Sequence, residues 1–149
     1  MNMDFYRGKK VLVTGHTGFK GSWLCVMLKK LGAEVTGYAL EECEETGLYH
    51  LCGIDKEITS VLGDVRDYNH MLEVFQKVQP EIVFHLAAQP IVRESYASPV
   101  YTYDVNVMGT VHVMECIRQT DSVKSVVNVT TDKVYYNENK NQAMKEDDI

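Results

Sequence analysis

The chain has 149 residues, 45% of them hydrophobic, with 15 Lys and Arg against 21 Asp and Glu for a net charge of −6. That length points to one domain with a substantial core, and the acidic balance argues against nucleic acid as a partner, since general binders show a basic excess or stripe. No apolar run approaches the roughly 18 residues of a membrane span and the first ten residues hold no secretory h-region, so neither a membrane partner nor export is expected. Cys25, Cys43, Cys52 and Cys116 lack C-x-x-C spacing; the expectation is reduced thiols in the cytoplasm and no metal site.

Short apolar runs alternate with helix-period segments, the pattern of βαβ units on a parallel sheet. Lys10 to Thr14 reads as a first strand buried on both faces. Leu24, Met27, Leu28 and Leu31 then recur at helical spacing, a stripe expected to pack on the sheet, and Gly32 ends that helix. Glu34 to Tyr38 is a second strand and Ile58 to Leu62 a third, reached through a long acidic stretch from Glu41 to Lys56 that reads as mobile. Asp67 is a candidate N-cap for a helix carrying Met71, Leu72, Val74, Phe75 and Val78, which Pro80 closes. Ile82 to His85 is the fourth strand, a long helix runs from about Val100 to Arg118, and Ser125 to Thr130 is the fifth strand. The expected architecture is an α/β, Rossmann-type doubly wound parallel sheet of order 3-2-1-4-5, incomplete at its C-terminal side, with residues 1–149 forming one NAD(P)-binding domain.

The segment between the first strand and the first helix is Thr14-Gly15-His16-Thr17-Gly18-Phe19-Lys20-Gly21. Gly15 suits the tight turn out of the strand, Gly18 the close approach of backbone to a pyrophosphate, and Gly21 close packing of helix on sheet. Backbone N–H groups at such a helix start point at the phosphates. Three glycines alone are weak evidence; after a buried strand and before an amphipathic helix they indicate dinucleotide binding. Lys20, a cation in the first helical turn, opposes the helix dipole unless an anion sits there.

Five segments together resemble the extended short-chain dehydrogenase/reductase family. They are the glycine loop, Gly63-Asp64-Val65, His85-Leu86-Ala87-Ala88, Asn106-Val107-Met108-Gly109-Thr110 and Thr130-Thr131-Asp132-Lys133. Within it, Thr14 to Leu24, Ala87-Ala88-Gln89-Pro90-Ile91-Val92-Arg93 and Thr131-Asp132-Lys133 resemble the branch that dehydrates nucleotide sugars, CDP-glucose among them. The resemblance implies NAD as cofactor, held by Gly15, Thr17, Gly18, Phe19, Lys20, Gly21, Tyr38, Asp64, Val65, Leu86, Ala87, Ala88, Gln89, Asn106 and Thr130. It implies a nucleotide-sugar substrate met by Gln89 and Arg93. Thr131 would hydrogen-bond the sugar 4-hydroxyl and Asp132 would be the acid that eliminates water, because hydroxide is a poor leaving group. Lys133 stands where the dTDP-glucose enzymes of the family carry Glu. Two other readings stay open: another nucleotide-sugar epimerase or dehydratase, and a catalytically silent dinucleotide-binding module.

The family also has a Tyr-x-x-x-Lys pair on a helix some two dozen residues beyond the Thr. Tyr136 and Lys140 match it in letters but follow Thr131 too closely, in a polar Asn-rich segment. The expectation is that residues 1–149 stop before that helix and before the sugar-binding domain, and do not turn over substrate alone. A homodimer is expected, through the helix near Val100 to Arg118 or through an exposed edge at Val126, Val127 and Val129. The usual acid near the end of the second strand is replaced by Gly37-Tyr38-Ala39-Leu40, and no Lys or Arg occurs between Leu31 and Asp55, so NAD is expected over NADP.

Overall fold

The computed structural model describes residues 4–40, 47–131, 135–136 and 143–147. Its strands are β1 (Lys10–Thr14), β2 (Glu34–Ala39), β3 (Thr59–Leu62), β4 (Ile82–His85) and β5 (Ser125–Asn128), all parallel in the order β3-β2-β1-β4-β5. This is the expected order. The register pairs Thr14 with Tyr38 on one side and with His85 on the other, so these strands end level at one rim of the sheet.

The helices are α1 (Phe19–Lys30), α2 (Leu48–Leu51), α3 (Tyr68–Val78), α4 (Val92–Ala97), α5 (Pro99–Tyr103) and α6 (Gly109–Arg118). A π-helical turn, Asp104–Met108, joins α5 to α6, so the long helix read from sequence is present with one irregular turn inside it. Two apolar layers sandwich the sheet. On one face Leu12, Tyr38, Phe75, Val83, Val105 and Val113 join strands to α3 and α6. On the other, Val11, Val13, Cys25, Leu28, Val35 and Ile82 pack strands against α1, with Tyr49 of α2 beside them. The central strand β1 has Val11, Leu12 and Val13 fully buried, as a strand covered on both faces requires.

Asp67 caps α3, its Oδ1 accepting the His70 N–H at 3.1 Å. The stripe on α1 needs correction. Gly21, Ser22, Cys25 and Leu28 form its buried face, whereas Met27 is 57% exposed. Hydropathy ranks Met with the aliphatics, but the small residues set how close the helix lies to the sheet, and so choose the face. In the stretch from Glu41 to Lys56, the described part holds α2 and a short 3-10 turn, Ile54–Lys56, with Tyr49 and Ile54 buried; Glu41, Glu42, Cys43, Glu44 and Glu45 lie outside the described residues. All four residues of β5 are exposed.

Candidate functional site

The sheet order reverses between β1 and β4, and a cleft of about 770 Å³ opens there along the C-terminal rim of the strands. Such a crevice is where open α/β sheets take ligands, and the volume falls within the range of small-molecule sites. The glycine turn forms its floor through Gly15, Thr17, Gly18, Phe19, Lys20 and Gly21. Gly15 has φ +72°, and a Cβ there would lie 2.8 Å from the Ala87 nitrogen, so both conformation and space demand glycine. A Cβ on Gly21 would collide with Gly15 O and stand 2.8 Å from His16 Cα. Gly18 differs: a Cβ there would meet only Gly15 O, at 3.4 Å, leaving room on the cleft side. Gly18 is the N-cap of α1 and provides no side-chain cap, the first turn holds no acidic residue, and residues 18–21 at this helix end all line the cleft. Ser22 holds the turn from inside, its hydroxyl reaching Gly18 O at 2.9 Å and His16 O at 3.1 Å.

His16 points away from the cleft. Its ring is fully buried, edge-on to Tyr49 at 5.3 Å, with Nε2 2.8 Å from Ser60 Oγ and Nδ1 making no hydrogen bond. Burial lowers its pKa to about 4, the Tyr38 carbonyl opposing the shift. The ring fills the space above Gly37, where any Cβ would strike it. Glycine inside a strand often marks such a close approach.

The β3 end supplies Gly63, Asp64 and Val65 to the cleft. Tyr38 OH donates to Asp64 O at 2.9 Å, and His112 Nδ1 donates to Val65 O at 2.9 Å. Gly109 of α6 packs on the same loop, where a Cβ would sit 2.7 Å from Val65 Cγ2. The Arg66 side chain donates to the Asp64 carboxylate and holds it below the usual carboxylate range. Tyr38 is therefore buried behind the wall, with Met71 and Phe75, and supports the site without lining it.

A chain of hydrogen bonds fixes the other wall. Thr14 Oγ1 accepts the N–H of Leu86 and of Ala87, each at 3.2 Å, so its own proton goes to His85 Nδ1 at 2.6 Å. His85 thus carries its proton on Nε2, which donates to Thr110 Oγ1 at 3.1 Å, and Thr110 donates to Asn106 O at 2.8 Å. Burial keeps the imidazole neutral, with its pKa lowered to about 4. From the π turn, the Asn106 amide pairs with the Gln89 backbone, accepting its N–H at 2.8 Å and donating to its carbonyl at 3.0 Å. The Gln89 side chain spans to Thr102 Oγ1 at 2.9 Å and accepts the Ile91 N–H at 2.5 Å. Asn106 and Gln89 are thus brought together to shape the loop after β4 and are not in the cleft lining.

Leu86, Ala87, Ala88, Val65, Asp64 and Thr130 do line the cleft with the glycine turn. So do Ala39, Leu40, Gly63, Pro90, Tyr101, Val105 and Val129, none of them among the site residues expected from the sequence. Their signal was position: each adjoins a strand end or faces one from α5 and the π turn. Arg93 is exposed on α4, Thr131 is exposed beyond β5, and Asp132 and Lys133 lie outside the described residues. Tyr136 is 71% exposed, and Lys140 lies outside the described residues. Among the described residues no group of three or more His, Cys, Asp or Glu could hold a metal, and no helix is long and apolar enough to cross a membrane.

A family model described as GDP-mannose 4,6 dehydratase matches residues 12–148. The chain is 47% identical over 137 residues to CDP-glucose 4,6-dehydratase of Salmonella typhimurium, covering 92% of this chain and 38% of that protein. Among solved structures, an epimerase from Methanothermobacter thermautotrophicus superposes with a TM-score of 0.79 at 29% identity, covering 98% of this chain and 42% of that one. A UDP-glucose-4-epimerase from Stenotrophomonas maltophila, with bound NAD and formylated UDP-arabinopyranose, gives 0.77 at 27% identity over 91% of this chain and 40% of that one. The chain therefore spans about two fifths of the length of these relatives. With the glycine turn, the switch-point cleft and a family model matched from β1 onward, the chain belongs to the GDP-mannose 4,6-dehydratase family.

Proposed function

We propose that this chain is the NAD-binding portion of a nucleotide-sugar 4,6-dehydratase acting on CDP-glucose. The observation that carries the reading is the uncapped start of α1 at Gly18, facing a cleft with room for a pyrophosphate where a side chain would intrude. Lys20 lines the same cleft and makes no ion pair among the described residues, which suits an anion at that end. The 47% identity to a CDP-glucose 4,6-dehydratase supports the choice of sugar nucleotide. The NAD-bound epimerase neighbour supports the cofactor.

NAD supplies a reversible hydride acceptor when bound. Gly15, Gly18 and Lys20 would hold its diphosphate, and Asp64 and Val65 its adenine. Leu86, Ala87, Ala88 and Thr130 would flank the far end of the cleft. Thr131 would hydrogen-bond the sugar 4-hydroxyl, Asp132 would protonate the departing 6-hydroxyl, and Lys133 would stand beside them. Gln89 would act through the loop it holds and Arg93 would meet the substrate from α4. The enzyme would be a cytoplasmic homodimer; Cys25, Cys52 and Cys116 are free thiols. The exposed Val100, Tyr103, Val107 and Val111 on one stripe of α5 to α6 suit the dimer contact.

Calorimetric titration of the chain with NAD tests the reading. One-to-one binding that competes with ADP, and is lost in Gly18→Val, is the expected result; no binding of NAD at millimolar concentration would end it.

A further inference from the structure

We propose that Arg66 is a positioning residue that braces the adenine end of the cofactor site and makes it selective for a 6-amino purine. This rests on the dinucleotide reading above. Arg66 does not line the cleft, yet it ties together two elements that do. Its Nε and Nη2 donate to Asp64 Oδ2 at 2.9 and 2.5 Å, while its backbone N–H donates to Oδ1 at 2.9 Å. Its guanidinium lies 5.0 Å from the centre of the Tyr101 ring, and Nη1 is 3.8 Å from Asp104. Asp64 follows β3; Tyr101 and Asp104 belong to α5 and the π turn. One planar cation therefore sets both the direction of the Asp64 carboxylate and the spacing of the two walls.

Charge state is not what Arg66 contributes, because an ordinary aspartate is already ionised at neutral pH. Direction is. A carboxylate held by donors on one side keeps its remaining lone pairs for a donor on the cleft side. A purine 6-amino group is such a donor, whereas a 6-oxo group would set acceptor against acceptor. A site built around a hydrogen bond rejects the analogue that lacks it. Removing the guanidinium leaves the backbone bond to Oδ1 but frees Oδ2, and it leaves Asp64 and Asp104 with no cation between them.

The test is calorimetric titration of wild type, Arg66→Ala and Arg66→Lys with NAD and with its hypoxanthine analogue, alongside thermal melts without ligand. Wild type should bind NAD tighter than the analogue by about tenfold or more, the scale of one hydrogen bond to a charged group. Arg66→Ala should weaken NAD by a similar factor and leave the analogue nearly unchanged, so the ratio collapses. Arg66→Lys should not restore it, since one ammonium cannot reproduce the Nε/Nη fork. A ratio unchanged in both variants, whether affinities hold or fall together, overturns the proposal. If wild type binds neither dinucleotide, the cofactor reading itself fails and this inference with it.

Discussion

Two alanine substitutions in the glycine turn should separate folding from binding. In Gly21→Ala the new methyl meets Gly15 O, His16 Cα at 2.8 Å and Gly15 C at 2.9 Å, all backbone atoms. Ordinary contact begins near 3.4 Å, so α1 or the turn must retreat by more than half an ångström, and no flexible side chain can absorb it. Overpacking of this kind costs about 1–3 kcal/mol, and the improved helix propensity of Ala returns at most about 1 kcal/mol. Because three backbone atoms lie inside 3.0 Å of the new methyl, the cost belongs to the upper part of that range, and a net loss of about 1–2 kcal/mol should lower Tm by about 2–8 °C in a domain of this size. Gly18→Ala meets nothing closer than 3.4 Å and has φ −71°, which Ala adopts freely. Its poorer N-capping, about 1 kcal/mol, is offset by about 0.4–1 kcal/mol from a less flexible unfolded chain. Its Tm should stay within about 2 °C of wild type, while NAD affinity falls at least tenfold because the methyl would project into the space proposed for the diphosphate. Scanning calorimetry and NAD titration on both variants give four numbers. A stable Gly21→Ala, or a Gly18→Ala that melts early yet binds NAD normally, would refute the steric assignment.

His16 and His85 are buried and neutral with pKa values lowered to about 4, against an ordinary 6.5. The unfolded chain therefore takes up protons first as pH falls, and the stability is full above pH 6.5 and is lost toward pH 4. Urea midpoints should report a loss of about 2–3 kcal/mol between pH 7 and 5.5, roughly halved in His16→Asn; a flat profile would contradict it. NAD should bind more tightly than NADP, because Ala39, the last residue of β2, and Leu40 just beyond it stand in the cleft wall and offer a 2′-phosphate no cation; calorimetry showing NADP equal or better would exclude this. Sedimentation velocity should show a dimer at micromolar concentration that Val107→Lys with Val111→Lys converts to monomer without changing Tm; a variant still dimeric would move the contact elsewhere.

Much of the scaffold was legible because it depends on pattern. Val11, Leu12 and Val13 could only be a strand buried on both sides, and the glycines at 15, 18 and 21 announced the turn. What stayed hidden depends on direction. Tyr38 stands near the end of β2, where the resemblance implies a cofactor contact, but the strand's alternation turns it into the α3 and α6 layer. The lack of an acid across Gly37 to Leu40 is visible in the sequence; that the His16 ring fills the space over Gly37 joins residues 21 positions apart and leaves no periodic trace. Helices α2 and α4 span four and six residues, too short to show a helical repeat. Arg66 carries no signal in the sequence, because a charged residue two places from an aspartate is common, and only the position of Tyr101 and Asp104 gives it a role.

The π turn at Asp104–Met108 amounts to one residue inserted into an otherwise α-helical run from Pro99 to Arg118. A π turn closes on the fifth residue where an α turn closes on the fourth, so it takes up the extra residue locally and lets α5 and α6 keep their facing. Tyr101 and Asp104, which meet Arg66, and Gly109 and His112, which meet Val65, therefore address the same loop from either side of the turn. A one-residue deletion inside the turn would relax it to α-helix and spare those attachments; what it would remove is the widened segment from which the Asn106 amide grips the Gln89 backbone.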